Sequence, residues 1–438
     1  RLIALSRTPE DPFHEKKSMY RIARTALIAG TGCAVAVSVY PDRTAGEVKD
    51  GLFTAMYKNV AFPLVLSNMD PEDAHSLMIK AAKMKLVPYD RVPDSPALGV
   101  RALGLNLRNP VGLAAGCDHN AEGVEAFDKM GFGFVEVGSV TPQPQQGTPR
   151  PRVFRLLGDR GVINRVGYAN EGAGEVQKRL KALREGGYKG VIGVNLGMNK
   201  GSSPSEDFAA GIEMLGPYAD YLVLNAAQLY HPPIPSFRSA KHPQELEKVL
   251  TAALVKRGAV CPRVPLLVKL HPDFPDKELR EVCHVIKASG ADGIVMSAPS
   301  AQRPDSIDGG GPNSHEFGGL SGAPIATISK EALSKVFKYT GGQLPLIGVG
   351  GISSGKDAYE RVRAGASAVQ LYTALAYEGP YAVPRIKWEM EELAKGDGFA
   401  SVQDAIGADA KGIEAHNAHG ELTHRFSTWW FSPDGGSS

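Results

Sequence analysis

From Ala97 onward, short apolar runs alternate with stretches of helical spacing. The runs fall at residues 111–116, 134–138, 191–195, 221–225, 266–269, 293–296, 346–350 and 368–372, and each reads as a strand. Between them, residues 121–130, 205–215, 243–257, 276–288, 328–338 and 356–363 read as helices. Eight β units with intervening helices predict a closed parallel (β/α)8 barrel, an α/β fold of the TIM type. Residues 153–164 read as a hairpin inserted in the second loop.

Ahead of the barrel, residues 47–66 and 70–86 carry the spacing of two amphipathic helices. The second starts with Asp70 as cap, Pro71 at the first helical position, and Glu72 and Asp73 in the first turn. Further upstream, residues 25–40 are uncharged and rich in Ala, Val and Gly, with Arg21 and Arg24 before them. The run has 16 residues, where a full span takes about 20; tilt or flanking residues absorb the difference. It is read as a single membrane anchor. The cluster Lys16, Lys17, Arg21 and Arg24 places the N-terminus on the side of synthesis or the matrix. The expected division is an arm at 1–18, an anchor at 19–43, a two-helix cap at 44–90, the barrel at 91–409 and a docking tail at 410–438. Trp429, Trp430 and Phe431 in the tail call for burial, against the chain's own barrel or on a partner.

Composition changes this picture little. With 49 basic and 47 acidic residues, net charge is +2, which gives no electrostatic footprint for nucleic acid. Cys33, Cys117, Cys261 and Cys283 show no CxxC spacing, which argues against a disulfide framework or a cysteine-built zinc site. The chemistry concentrates at the strand ends. Residues 346–355 and 364–373 close the last two apolar runs with small residues, and the helix at 356–363 starts behind the first. Glycines allow close backbone approach and a helix start favours an anion, so a phosphate site is predicted there. His119, His231 and His271 follow the first, fourth and fifth strands. First and fifth strand ends lie across a barrel from one another, so joint metal ligation is not expected.

Longer motifs carry a resemblance. Asp70-Pro71-Glu72-Asp73-Ala74-His75, Asn109-Pro110-Val111-Gly112-Leu113-Ala114-Ala115-Gly116 and residues 129–142 and 149–156 are similar to the class 2, quinone-dependent dihydroorotate dehydrogenases. So are Gly319-Leu320-Ser321-Gly322, Gly348-Val349-Gly350-Gly351, residues 369–375 and residues 404–409. The resemblance implies a barrel holding flavin mononucleotide (FMN), a two-helix cap forming a ubiquinone tunnel, and oxidation of dihydroorotate. By position it implies cofactor contacts at Ala114, Ala115, Gly116, Ser139, Asn164, Asn195, Asn225, Lys269, Ser297, Gly322, Gly350, Gly351, Tyr372 and Thr373. His75 and Arg155 match quinone-tunnel positions.

The substrate side departs from the family pattern. Gln228 holds the position of the catalytic base, so no catalytic residue is carried over. Cys117 and His119 stand where the family has Phe and Lys, Met198 where it has Lys, and Ala298-Pro299 where an Asn-Thr pair grips orotate. Residues 164–169 keep Asn164 but end in Ala169 instead of Asn. These losses lead to the expectation of a degenerate homologue serving as a structural subunit. It is expected in the mitochondrial inner membrane as a single-pass protein, N-terminus in the matrix and barrel in the intermembrane space. Its expected partners are FMN, ubiquinone, the membrane and other protein subunits met through the tail. The alternative is an active FMN-dependent dehydrogenase of dihydroorotate, or of an altered substrate, that reduces ubiquinone.

Overall fold

The computed structural model describes residues 66–227, 243–307 and 311–410, together with Tyr57, Ala61 and Pro63. The chain divides into two compact units, Arg1–Asp70 and Pro71–Ser438. Of the first unit the described part ends in a single 3-10 turn, Leu66–Asn68, where the Ser67 hydroxyl donates to the Pro63 carbonyl at 2.8 Å. The first cap helix, the anchor and the arm lie outside the described residues, as does the tail beyond residue 410.

The second unit opens with α1 (Pro71–Lys83), whose acidic first turn and basic last turn complement its dipole. A two-stranded antiparallel hairpin follows, β1 (Val100–Ala102) and β2 (Leu105–Leu107). Then come β3 (Val111–Leu113), α2 (Val124–Lys129), β4 (Phe134–Val140), β5 (Val153–Leu156), β6 (Gly161–Asn164) and α3 (Ala173–Glu185). Next are β7 (Val191–Leu196), α4 (Pro204–Leu215), β8 (Tyr221–Leu224), α5 (Pro243–Val260), β9 (Leu266–Leu270) and α6 (Asp276–Ser289). The chain continues through β10 (Gly293–Met296), β11 (Gly319–Gly322), α7 (Ala326–Thr340) and β12 (Leu346–Val349). It closes with α8 (Gly355–Arg363), β13 (Ala368–Leu371), α9 (Thr373–Glu378) and α10 (Ala382–Gly396).

Strands β3, β4, β7, β8, β9, β10, β12 and β13 pair in parallel and close on themselves, so the predicted TIM barrel is present. Their burial patterns are almost unbroken, as expected when both faces of a strand are covered. Glycines make room for large rings inside. A Cβ on Gly112 would sit 2.2 Å from the ring of Phe134, its partner in register, and one on Gly193 would sit 2.1 Å from the ring of Tyr221, also its partner. The two rings then meet edge to face at 6.2 Å and plug the barrel. The predicted hairpin is β5 and β6, and β11 joins it as a third strand that the sequence reading did not include.

The single-pass inner-membrane placement is corrected. No helix among the described residues is long and apolar enough to cross a membrane, and the segment read as an anchor is shorter than a full span and outside those residues.

Candidate functional site

At the C-terminal ends of the barrel strands lies a partly open cleft. Residues from five loops meet there: Ala114 and Ala115 after β3, Ser297 after β10, Gly322 at the end of β11, Gly350 and Gly351 after β12, and Tyr372 and Thr373 after β13. Lys269, on β9, completes this set. These nine predicted positions share one space although they span most of the barrel's sequence. The other five are not in its lining. Gly116 donates its N–H to the Gly138 carbonyl at 2.7 Å, and Asn164 reaches the Gly319 carbonyl at 3.5 Å.

The glycine pair after β12 shows why no other residue fits. Gly350 has φ +99° and Gly351 φ +71°, where L-residues are strained. A Cβ on Gly351 would lie 2.3 Å from the Ala326 backbone. No acceptor among the described residues takes the N–H groups of Gly350, Gly351 or Ile352. One expectation is corrected here. The start of α8 does not offer its dipole to a ligand, because the chain's own carboxylates occupy it. Asp357 accepts from the N–H groups of Ser353 and Ser354, each at 2.9 Å, and Glu389 accepts from Gly355 N–H at 2.5 Å. Ser354 and Asp357 form a capping box, which fixes the helix and uses up its first donors.

Opposite the cradle, the barrel interior holds a polar chain. The fully buried Glu136 accepts from Asn195 Nδ2 at 2.9 Å, the Tyr221 hydroxyl at 3.0 Å and Gln370 Nε2 at 2.6 Å. Asn195 accepts in turn from the Ser139 hydroxyl at 2.5 Å, and Ser139 from Asn225 Nδ2 at 2.9 Å. Thus Ser139, Asn195 and Asn225 converge as one network. Lys269 is only 6 % exposed and makes no ion pair among the described residues. Burial lowers its pKa, and the charge of Glu136 opposes that shift. Gln370 lines the cleft with its Oε1 buried and unbonded. Sequence reasoning missed Glu136 and Gln370. Their signal was a polar residue inside an otherwise apolar strand.

The substrate rim has a different character. Ala298 and Pro299 line the cleft and offer no side-chain hydrogen bond. His119 stands edge-on to His75 at 6.0 Å, and burial pushes its pKa down to about 4, which leaves it neutral at neutral pH. His75, on α1, places Nε2 2.6 Å from the Cys117 carbonyl and its ring 6.0 Å from Tyr372. Arg155, on β5, acts electrostatically on Tyr377. His271 stacks on Phe274 at 4.2 Å, and its Nδ1 accepts from Asp273 N–H at 3.1 Å. Gln228 and His231 lie outside the described residues.

Comparison with known proteins agrees with this geometry. A family profile described as dihydroorotate dehydrogenase matches residues 97–394. A dihydroorotate dehydrogenase (quinone) of Rhodospirillum rubrum is 42 % identical over 374 residues, covering 85 % of this chain and 99 % of its own. The mitochondrial dihydroorotate dehydrogenase (quinone) of Mus musculus is 43 % identical, covering 81 % of this chain and 90 % of its own. The crystal structure of an Eimeria tenella dihydroorotate dehydrogenase in complex with ferulenol superposes with TM-score 0.75 at 38 % identity, covering 82 % of this chain and 99 % of that one. These relatives overturn the expectation of a degenerate structural subunit. Proteins at such identity over so much of the chain carry the name of the enzyme.

Proposed function

This chain belongs to the dihydroorotate dehydrogenase family, and from that premise we propose that it is an FMN-dependent dehydrogenase that oxidises dihydroorotate and passes the electrons to a quinone. The observation that carries the reading is the cleft itself. Free N–H groups of a glycine cradle stand at one end, and an ammonium with no ion-pair partner among the described residues stands in its wall. A phosphate-tailed flavin fits both: the first suits its phosphate, the second an electron-rich ring edge.

Bound FMN supplies a two-electron acceptor for the substrate and a donor for the quinone. Gly350 and Gly351 would hold its phosphate by backbone N–H groups, with no side chain that could swing. Lys269 would place positive charge where negative charge grows on a reduced flavin, and the charge of Glu136 opposes the lowering of its pKa by burial. Ser139, Asn195 and Asn225 form a preorganised set, since each amide is oriented by a named neighbour. His75 and Tyr372 mark the quinone side.

The test uses the full chain, loaded with FMN and supplied with dihydroorotate and a short-chain ubiquinone analogue. Orotate and quinol should form in equal amounts. FMN-loaded protein that forms no orotate over repeated turnovers would refute the proposal.

A further inference from the structure

Arg361, on α8, is 2 % exposed and makes no ion pair within the described residues. Its Nη2 donates to the carbonyl of Ala326 at 2.6 Å, to the Ser329 hydroxyl at 2.9 Å and to the carbonyl of Gly350 at 3.1 Å. Ser329 donates to the same Gly350 carbonyl at 2.7 Å. An unpaired guanidinium is costly to bury, so something should compensate for it. The carboxylates nearest in sequence act on it only at a distance and hydrogen-bond elsewhere. Asp357 is held by the capping box and Glu360 pairs with Lys330 at 2.7 Å.

The peptide between Gly350 and Gly351 links this cation to the cleft. In a trans peptide the C=O and N–H point in opposite directions. The carbonyl side faces Arg361 and Ser329, so the Gly351 N–H faces away from them, and Gly351 lines the cleft. Hydrogen bonds to a carbonyl polarise the N–H of the same peptide unit and strengthen it as a donor. With the first donors of α8 already taken by Asp357 and Glu389, positive potential behind the cradle must come from another group.

We propose that Arg361 charges the phosphate cradle from behind, through the Gly350–Gly351 peptide, and thereby makes the site prefer a phosphorylated flavin to its unphosphorylated form. The inference rests on the FMN reading and adds a residue that never touches the ligand. Burial brings the pKa of Arg361 down to about 10, which leaves it charged at neutral pH.

The experiment compares Arg361→Gln with Arg361→Lys in the full chain. Apoprotein is titrated with FMN and with riboflavin, following flavin fluorescence, and folding is checked by circular dichroism. Arg361→Gln retains a donor for the carbonyls and loses the charge. It should weaken FMN about tenfold, the size of one 1.4 kcal/mol interaction, while riboflavin stays within about twofold of wild type. Arg361→Lys keeps the charge and should keep most of the preference. Equal weakening of both flavins by Arg361→Gln would overturn the inference, because it would make Arg361 a structural bracket only. An unchanged preference would overturn it too. Wild-type protein that takes up no FMN would overturn the cofactor reading and this inference with it. If Arg361→Gln does not fold, Arg361→Lys decides: lost preference with the charge retained would overturn the proposal.

Discussion

Two halves of one cleft are built differently. The half after β12 and β13 is made of backbone: glycines with positive φ, N–H groups that no acceptor among the described residues takes, and a capped helix. The rim formed by the loop after β10 is made of side chains, Ala298 and Pro299, and the loop after β3 carries His119 beside His75. A backbone-built site resists change, since almost any side chain destroys it. A side-chain rim can be rewritten one residue at a time while the barrel beneath stays intact.

The harshest break of the comparison is Gly351→Leu. The new side chain would need φ near +71° and would start 2.3 Å from the Ala326 backbone. Purified variant should carry no flavin colour, with FMN binding weakened at least ~100-fold. Ala298→Val, on the rim, should keep its flavin. If both variants lose flavin alike, the two halves are not separable.

Next in size is Lys269→Met, which removes the cleft's buried ammonium but leaves the cradle. FMN should stay bound while kcat falls on the order of 10²- to 10³-fold, as for other preorganised charge stabilisers. A single-turnover measurement of flavin bleaching by dihydroorotate isolates the step. Loss of flavin instead of rate would place Lys269 in cofactor retention.

A milder change sharpens the rim's side of the contrast. His119→Lys puts a cation on the loop after β3, which on the proposed function adjoins an anionic substrate. KM for dihydroorotate should drop roughly tenfold, the worth of a good charge-assisted contact, with kcat little altered. A neutral dihydropyrimidine should show no such gain. If KM does not move, residue 119 does not face the carboxylate.

The same division governs what could be read from the chain. All eight barrel strands were legible, because a strand buried on both faces leaves a continuous apolar run. The cradle was legible as glycine, since its requirement is conformational. The start of α8 was misread. Its donors are consumed by Asp357, three residues after Ser354, and by Glu389 on α10, and only the first of these is a local pattern. Strand β11 was missed because its four residues, Gly-Leu-Ser-Gly, carry no strand signal without the β6 edge to pair with. Glu136 was passed over because its three donors come from β7, β8 and β13, elements brought together only by barrel closure. The functional reading erred by weighing a few rim residues above the scaffold as a whole.

The smallest predicted effect is on stability, and it belongs to the rim alone. His119 has its pKa lowered from 6.5 to about 4, chiefly by burial, with the nearby His75 adding to the shift. Between those values the unfolded chain binds a proton at residue 119 that the folded chain does not. Stability from this group is therefore complete above pH 6.5 and declines as pH falls toward 4. The full shift corresponds to at most about 3.4 kcal/mol, and the residual exposure of the side chain brings the expected size to roughly 1–2 kcal/mol. His75 is lowered for the same reason and adds an effect of the same sign. Urea unfolding at neutral and acid pH measures it: the stability lost on acidification should be smaller in His119→Gln than in wild type by about 1–2 kcal/mol. Gly351→Leu, which alters no titrating group, should leave the difference between the two pH values as it is. An acid-induced loss that His119→Gln does not reduce would mean that the imidazole is already solvated, and the rim more open than its packing against His75 implies.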